Sequence, residues 1–557
     1  MYNVETVQDW ITHDPSEETK AELTELLAKA EGGDEAAKAE LTDRFTGSLQ
    51  FGTAGLRGAM AAGPNRMNRA VVRRAAYGLT SWLQKTVGKD ALVVIGFDAR
   101  YHSNEFAADT AAIVTAMGSR AMIMPRHLPT PLLAFAVRHL GADAGVMVTA
   151  SHNPAQDNGY KVYVGARAVE EDGRGVQIVP PIDAGIAAEI AAAPLADEIE
   201  LAEGGWETIS EDVIDAYVEQ AISVVPADGP RDLRIVYTPM HGVGGEIMKR
   251  VLDGAGFTDY EMVPEQAQPD PDFPTVSFPN PEEKGALDLA ITLAKKNDAD
   301  LVIASDPDAD RASLATKVNG EWRQLSGDEI GSLLGEYVAT RDEGKDVALA
   351  SSIVSSQLLG KIAEGHGLKY HATLTGFKWI ARTHKITFGY EEAIGFCVDP
   401  NHVRDKDGLS AGVTLAHLAA SLKAEGKELA DELDRIHTRY GVYLTTPVTI
   451  RVSDLSIIPA TMAKLRKEPP TELGGSPVRS IEDLSKGTEE LPGTDALRIF
   501  TENNSRVMVR PSGTEPKLKC YLEVVVPVEG DLAAARATAA ERMDAFKADV
   551  EAMTKLD

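Results

Sequence analysis

Asp306-Pro-Asp308-Ala-Asp310-Arg311 places three carboxylates at alternate positions directly after the apolar run Leu301-Val302-Ile303-Ala304. Carboxylates gathered at the end of a buried strand are costly unless a cation neutralises them. A hard divalent ion with oxygen ligands suits them, and Mg²⁺ would complete its shell with water or a phosphate oxygen. An EF-hand is excluded, because Arg311 stands at that loop's glycine position and Lys317 at its bidentate glutamate. An acidic surface loop is the plain alternative. Arg311 at the rim suits a phosphate.

Other short stretches carry related chemistry. Arg510-Pro-Ser512-Gly513-Thr514 runs into Lys517 and Lys519; a glycine turn with two hydroxyls and nearby cations can cradle a phosphate, although an ordinary turn has the same composition. On a strand, Lys517, Lys519 and Tyr521 share one face and Leu518, Cys520 and Leu522 the other. Gly389-Tyr-Glu391-Glu392-Ala-Ile-Gly395 offers adjacent carboxylates to vicinal sugar hydroxyls, or is a simple turn. In FGTAGLRG (51–58) glycines let Arg57 approach a ligand closely. Lys161 is a candidate proton shuttle or anion contact, with a snorkelling surface lysine as the alternative. Ser151 and His152 in TASHNP resemble a nucleophile and its base, but neighbours on an extended chain face opposite ways, and no G-x-S-x-G elbow is present.

These stretches end apolar runs such as ALVVIGFDAR, AGVMVTASHNP, LRIVYTPMHGVGG and ADLVIASDPDADR, separated by amphipathic segments at 104–117, 283–296 and 408–425. Apolar strands alternating with helices predict sheets covered on both faces, with ligands at the carboxyl ends of the strands. The expected fold is α/β: three similar α/β domains with mixed or parallel sheets and a smaller C-terminal α+β domain. The expected divisions are a helical extension 1–44, domain I at 45–205, domain II at 206–318, domain III at 319–438 and domain IV at 439–557. In the extension, Gly32-Gly33 should separate two helices, with Asp34 capping the second.

The 557 residues are 43% hydrophobic and carry a net charge of −29. That balance disfavours nucleic acid and anionic membranes, which need clustered Lys and Arg. Any anionic ligand needs a local basic pocket. No run reaches the roughly 18 apolar residues of a membrane span, and the start lacks the basic and apolar regions of a signal peptide. The only cysteines, Cys397 and Cys520, exclude a disulfide framework and fit a reducing, cytoplasmic compartment.

Taken together and in order, TASHNP, DPDADR, GYEEAIG and RPSGTEP resemble the α-D-phosphohexomutase superfamily across nearly the whole chain after about residue 45. FGTAGLRG, TLTGFKW and GYEEAIG are most similar to its phosphoglucomutase-2/phosphopentomutase group. The resemblance implies four domains around a central cleft. It implies that Ser151 carries a phosphoryl group, and that Asp306, Asp308 and Asp310, with a Ser151 phosphate oxygen, hold Mg²⁺. It places Arg311 on that phosphate, and Arg57, His152 and Lys161 around it, Lys161 and Arg57 for proton transfer. Thr375, Gly376 and Lys378 match the loop that distinguishes sugar epimers, Glu391 the group that grips sugar hydroxyls, and Lys406 a nearby substrate lysine. Arg510, Ser512, Gly513 and Thr514 match the site of the unreacting phosphate.

The implied reaction interconverts glucose 1-phosphate and glucose 6-phosphate through glucose 1,6-bisphosphate, which also primes the enzyme; pentose or mannose phosphates are the alternatives. Many phosphoglucomutases have a serine where Ala393 stands, which leaves room for a pentose. The expected partners are small sugar phosphates, with neither nucleic acid nor membrane, and a monomer or homodimer.

Overall fold

The computed structural model describes residues 2–555 apart from 53, 54, 453, 455, 490 and 513–516. The chain forms two compact units, residues 1–324 with 395–424, and residues 325–394 with 425–557.

The first unit contains two mixed sheets. One runs Leu56–Ala59, Asp157–Val164, Ala144–Val148, Leu92–Phe97, Arg120–Ile123, Glu207–Thr208, with Val176–Gln177 beside Asp157–Val164. Leu92–Phe97 is parallel to both neighbours, whereas Asp157–Val164 is antiparallel to Ala144–Val148 and to Leu56–Ala59. All five residues of Ala144–Val148 are buried, as expected of a strand covered on both faces. The chain leaves the parallel strands at Phe97, Ile123 and Val148 on one edge of the sheet, where ligand loops gather.

The other sheet runs Glu321–Gln324, Ala312–Val318, Leu301–Ser305, Ile235–Thr238, Tyr260–Met262. Leu301–Ser305 is parallel to Ile235–Thr238 and antiparallel to Ala312–Val318. The three aspartates therefore sit in the tight connection between two paired strands. That connection lies on a prepared bed. The Val243 N–H donates to the Pro307 carbonyl at 2.8 Å, and a Cβ on Gly242 would come within 2.3 Å of the Pro307 backbone. On another side, the Gly408 N–H donates to the Ala309 carbonyl at 3.2 Å.

In the second unit, three parallel strands run Lys369–Thr373, Ala348–Ser352, Ile386–Glu391. An antiparallel sheet follows, Val442–Arg451, Lys517–Val526, Arg506–Pro511, Leu497–Thr501, Ser476–Asp483, Glu472–Leu473. Helices Ile457–Lys467 and Leu532–Met553 contribute to its core, which includes Leu518, Cys520 and Leu522. The α/β and α+β expectations hold, as does the predicted alternation along 517–522: Lys517, Lys519 and Tyr521 are only half-buried.

Two strand pairings cross the expected divisions. Strand Glu207–Thr208 pairs with Arg120–Ile123, so the first sheet passes 205. The hairpin Ala312–Val318/Glu321–Gln324 crosses 318, so the second sheet ends at Gln324. Within the span 319–438 expected for domain III, residues 395–424 belong to the first unit. Helix Gly408–Ala424 packs on helices Glu211–Ser223 and Gly244–Gly254 and on strand Leu301–Ser305, because nearly its whole surface is apolar and buried. The helix expected over 283–296 begins at Asp288, since Gly285 takes a positive φ of 87° that ends regular structure. The N-terminal extension has a further helix, Val4–His13. Asp34 caps Glu35–Phe45 as predicted, accepting from the Ala36 and Ala37 amides. Among the described residues, no helix is long and apolar enough to cross a membrane.

Candidate active site

Ser151 lies just beyond strand Ala144–Val148, and its backbone is left-handed, with φ of 51°. This corrects the premise that Ser151 and His152 face apart on extended chain. The turn brings the Ser151 Oγ to 3.3 Å from His152 Nδ1. A closer acceptor exists, however: the Ser151 hydroxyl donates to Asp306 Oδ2 at 2.7 Å. Arg100 sets the turn. Its Nη2 donates to the carbonyls of Ser151 and Asn153 at 2.7 and 2.6 Å, and its Nη1 to those of Pro154 and Asp157 at 2.8 and 3.1 Å.

Asp306, Asp308 and Asp310 are fully buried and present ligand oxygens within 4.8 Å of one another. Lys161 extends from strand Asp157–Val164 into this cluster, donating to Asp308 Oδ2 at 2.7 Å and Asp310 Oδ2 at 2.9 Å. Lys406 Nζ lies 3.2 Å from Asp310 Oδ2. The guanidinium Nε of Arg311 is 3.9 and 3.8 Å from Asp306 and Asp310. Lys161 is thus buried and ion-paired, which excludes the snorkelling alternative. Burial would lower its pKa, but Asp308 and Asp310 outweigh it and hold Lys161 above the usual value. Burial would raise Asp308, and Lys161 outweighs it; burial and Asp308 would raise Asp310, and Lys161, Lys406 and Arg311 outweigh them, so both stay below the usual carboxylate range. Burial, then Asp308 and Asp310, push Asp306 well up. Burial, then Arg311 and Arg57, keep the His152 pKa well below its usual value.

The donor set fits a divalent metal. Asp308 Oδ1 and Asp310 Oδ1 are buried without a hydrogen-bond partner, a costly arrangement unless a cation fills it. All-oxygen carboxylate ligands match a hard ion. Arg57 stands on strand Leu56–Ala59 at the exposed rim, with Nη1 3.3 Å from Asn153 Oδ1.

The remaining predicted residues lie in the second unit. Arg510 Nη1 donates to Thr375 Oγ1 at 2.7 Å, so Arg510 and the loop before helix Phe377–Ile380 adjoin. Gly376 has φ of 103° and opens the short helix Phe377–Ile380, which carries buried Lys378. The Ser512 N–H donates to the Lys517 carbonyl at 2.8 Å. Gly513 and Thr514 lie outside the described residues. The two glutamates separate in role. Glu392 Oε2 accepts from Ser352 and Ser355 Oγ, both at 3.0 Å, whereas Glu391 at the strand end has no polar partner among the described residues.

Burial, reinforced by Glu391 and Asp328, pushes the Glu392 pKa from 4.5 to about 7. The folded protein then holds the Glu392 proton between pH 4.5 and about 7 while the unfolded chain releases it, so this group's contribution to stability declines as pH rises through that window. Glu392→Gln keeps an acceptor for both serines. Its Tm, measured by thermal denaturation across pH, is expected to exceed the wild-type value above pH 7 and to converge with it near pH 4.5.

Sequence reasoning did not single out Arg100 or Thr130. Asp98-Ala-Arg100 was visible as a charged turn after a strand, but nothing local shows that Arg100 wraps residues 151–157. Thr130, fully buried, donates from Oγ1 to Asp308 Oδ2 at 2.6 Å, a contact without sequence signal.

Comparison with known proteins gives the family. The phosphoglucomutase/phosphomannomutase alpha/beta/alpha domains I, II and III match residues 48–195, 215–320 and 326–440, and the C-terminal domain of that family matches 448–544. A Saccharomyces cerevisiae protein named phosphoribomutase is 38% identical over 582 residues, covering 92% of this chain and 91% of that one. The chain belongs to the phosphoglucomutase/phosphomannomutase family. A Haemophilus influenzae protein named probable phosphomannomutase is 45% identical over 459 residues, covering 82% of this chain and 93% of its own length. The crystal structure of a putative phosphomannomutase from Thermus thermophilus shares the fold, with a TM-score of 0.67 at 24% identity over 89% of this chain and 99% of that one. As a member of the α-D-phosphohexomutase superfamily, the protein is a phosphomutase, an isomerase that moves phosphate within a sugar phosphate. Its buried aspartate triad can hold a metal ion.

Proposed function

We propose that this enzyme moves phosphate between the C1 and terminal hydroxyls of an aldose, with glucose 1-phosphate and glucose 6-phosphate as its main pair. The observation that carries this reading is the Ser151 hydroxyl, set 2.7 Å from Asp306 inside a buried cluster of three carboxylates and their cations.

In the proposed cycle Ser151 begins phosphorylated. The free hydroxyl oxygen of the sugar monophosphate attacks the phosphorus in line; a new P–O bond forms as the P–Oγ bond breaks. The hydroxyl proton leaves the sugar and Oγ gains one, so the products are Ser151 and the 1,6-bisphosphate. After the bisphosphate turns over, Oγ attacks the other phosphorus and the same changes run in reverse. Phosphoryl transfer depends on positioning and charge neutralisation. Arg311 is assigned to the phosphate oxygens, and Lys161 and Arg57 to the proton exchange beside Oγ, with His152 contacting the phosphate. Asp306, Asp308, Asp310 and a Ser151 phosphate oxygen would hold Mg²⁺, which when bound supplies neutralisation of phosphate charge. Glu391, Thr375, Gly376, Lys378 and Lys406 are assigned to the sugar, and Arg510, Ser512, Gly513 and Thr514 to the unreacting phosphate. Glucose 1,6-bisphosphate would prime unphosphorylated enzyme. Cys397 and Cys520 are both buried and unpaired, which supports a cytoplasmic enzyme; a monomer or homodimer is proposed.

A second reading takes ribose phosphate as the better substrate, favoured by Ala393 and by the name of the yeast relative. The deciding measurement is kcat/KM for glucose 1-phosphate, mannose 1-phosphate and ribose 1-phosphate with bisphosphate present. Glucose 1-phosphate is expected to lead. A higher value for ribose 1-phosphate establishes the second reading, and net phosphate release without isomer makes the protein a phosphatase.

A further inference from the structure

The donors around the triad divide its carboxylates unevenly. Asp308 Oδ2 receives two, Thr130 Oγ1 at 2.6 Å and Lys161 Nζ at 2.7 Å. Asp310 Oδ2 faces Lys161 and Lys406 at 2.9 and 3.2 Å. In both residues Oδ1 is buried and lacks a hydrogen bond. Asp308 therefore has one oxygen tied to the protein and one left for an ion, whereas Asp310 Oδ1 also faces Arg311 Nε at 3.8 Å. Thr130 is the neutral member of this arrangement. It opens helix Thr130–His139 between Pro129 and Pro131, whose rings restrict the backbone. Its own N–H donates to the Asp308 carbonyl at 2.9 Å, so one residue fixes both the main chain and the side chain of Asp308.

We propose that Thr130 is a positioning residue that restricts Asp308 to a single metal-facing oxygen and thereby selects a small six-coordinate cation over a larger one. The inference rests on the reading of the triad as a divalent-metal site. Mg²⁺ demands near-octahedral single-oxygen ligation at about 2.0–2.1 Å, whereas Ca²⁺ takes six to eight ligands at about 2.3–2.6 Å and readily uses both oxygens of a carboxylate. With Oδ2 occupied by Thr130 and Lys161, bidentate ligation by Asp308 requires breaking two hydrogen bonds, a cost that falls on Ca²⁺ and spares Mg²⁺.

The test is direct binding rather than turnover. Mg²⁺ and Ca²⁺ are each titrated by calorimetry into metal-stripped full-length protein, for wild type, Thr130→Val, Thr130→Ser and Asp308→Asn. Thr130→Val keeps the shape and removes the hydroxyl. It is expected to weaken Mg²⁺ by about 10-fold or more, as loss of an outer-sphere partner does, with a smaller loss for Ca²⁺, so that the preference for Mg²⁺ shrinks. Thr130→Ser restores the donor and the preference. Should the valine variant fail to fold, Thr130→Ala reads the same loss. Wild-type Mg²⁺ affinity and selectivity in Thr130→Val or Thr130→Ala overturn the inference, as does a serine variant as impaired as valine. Wild-type binding unchanged by Asp308→Asn overturns the metal site itself and the inference with it, which separates the two failures.

Discussion

Ser151→Ala is expected to lower mutase activity by about 10⁴-fold or more while the protein folds normally, because a double-displacement reaction has no route without its carrier. The expectation follows from where the hydroxyl sits. Ser151 is 3% exposed, its turn is held by four hydrogen bonds from Arg100, and its Oγ is aimed at Asp306. Alanine keeps the backbone and removes the hydroxyl proposed to accept phosphate. The structural cost is the loss of one donor to a carboxylate, about 1–3 kcal/mol. Activity is followed by a coupled assay of isomer formation, and the carrier by mass spectrometry of the peptide containing residue 151, phosphorylated in wild type and unmodified in the variant. An alanine variant that still isomerises its substrate refutes the phosphoserine mechanism.

Asp308→Asn is expected to reduce kcat by about 10³-fold, since the neutralisation supplied at such a site is worth several kcal/mol and each 1.36 kcal/mol is tenfold in rate. Asparagine fills the same space and can still accept from Thr130 and Lys161. What it lacks is the negative charge, and an oxygen at the Oδ1 position now left without a hydrogen-bond partner. A second readout separates lost metal binding from a disturbed fold. A ligand that binds only the folded state raises Tm with its concentration. Wild type should therefore gain Tm as Mg²⁺ is added, and Asp308→Asn should not, both melting near one temperature in chelator. A Mg²⁺-dependent rise in the variant equal to that of wild type rules Asp308 out as a ligand.

The two sites differ in how much of them could be read before the fold was known. DPDADR was legible because its chemistry is local: alternating carboxylates at a strand end are costly wherever the strand is buried. The split between Glu391 and Glu392 was not legible, because it depends on Ser352 and Ser355, which lie about 40 residues away on a neighbouring segment. The Ser151–His152 geometry was misjudged for a related reason. The rule for extended chain does not hold at Ser151, whose left-handed backbone is held by Arg100, 51 residues earlier.

The sequence by itself determined the alternation of buried strands and helices, the α+β tail, the family and the acidic triad. The elements and the triad reside in short runs whose periodicity or composition carries the physical cost that structure must meet, and the family in short motifs that resemble those of its members. Only the tertiary structure decided the partnerships. Lys161 became an ion-paired cation within the triad because strand pairing places Lys161 opposite Met147 at the carboxyl end of Ala144–Val148. Thr130 became the clamp on Asp308 across 178 residues of sequence. Helix Gly408–Ala424 left its neighbours in sequence for the second sheet, because that is where its apolar surface is buried. Hydrogen bonds and ion pairs are short-range in space and indifferent to separation along the chain, so no local pattern announces them until the fold has brought their partners together.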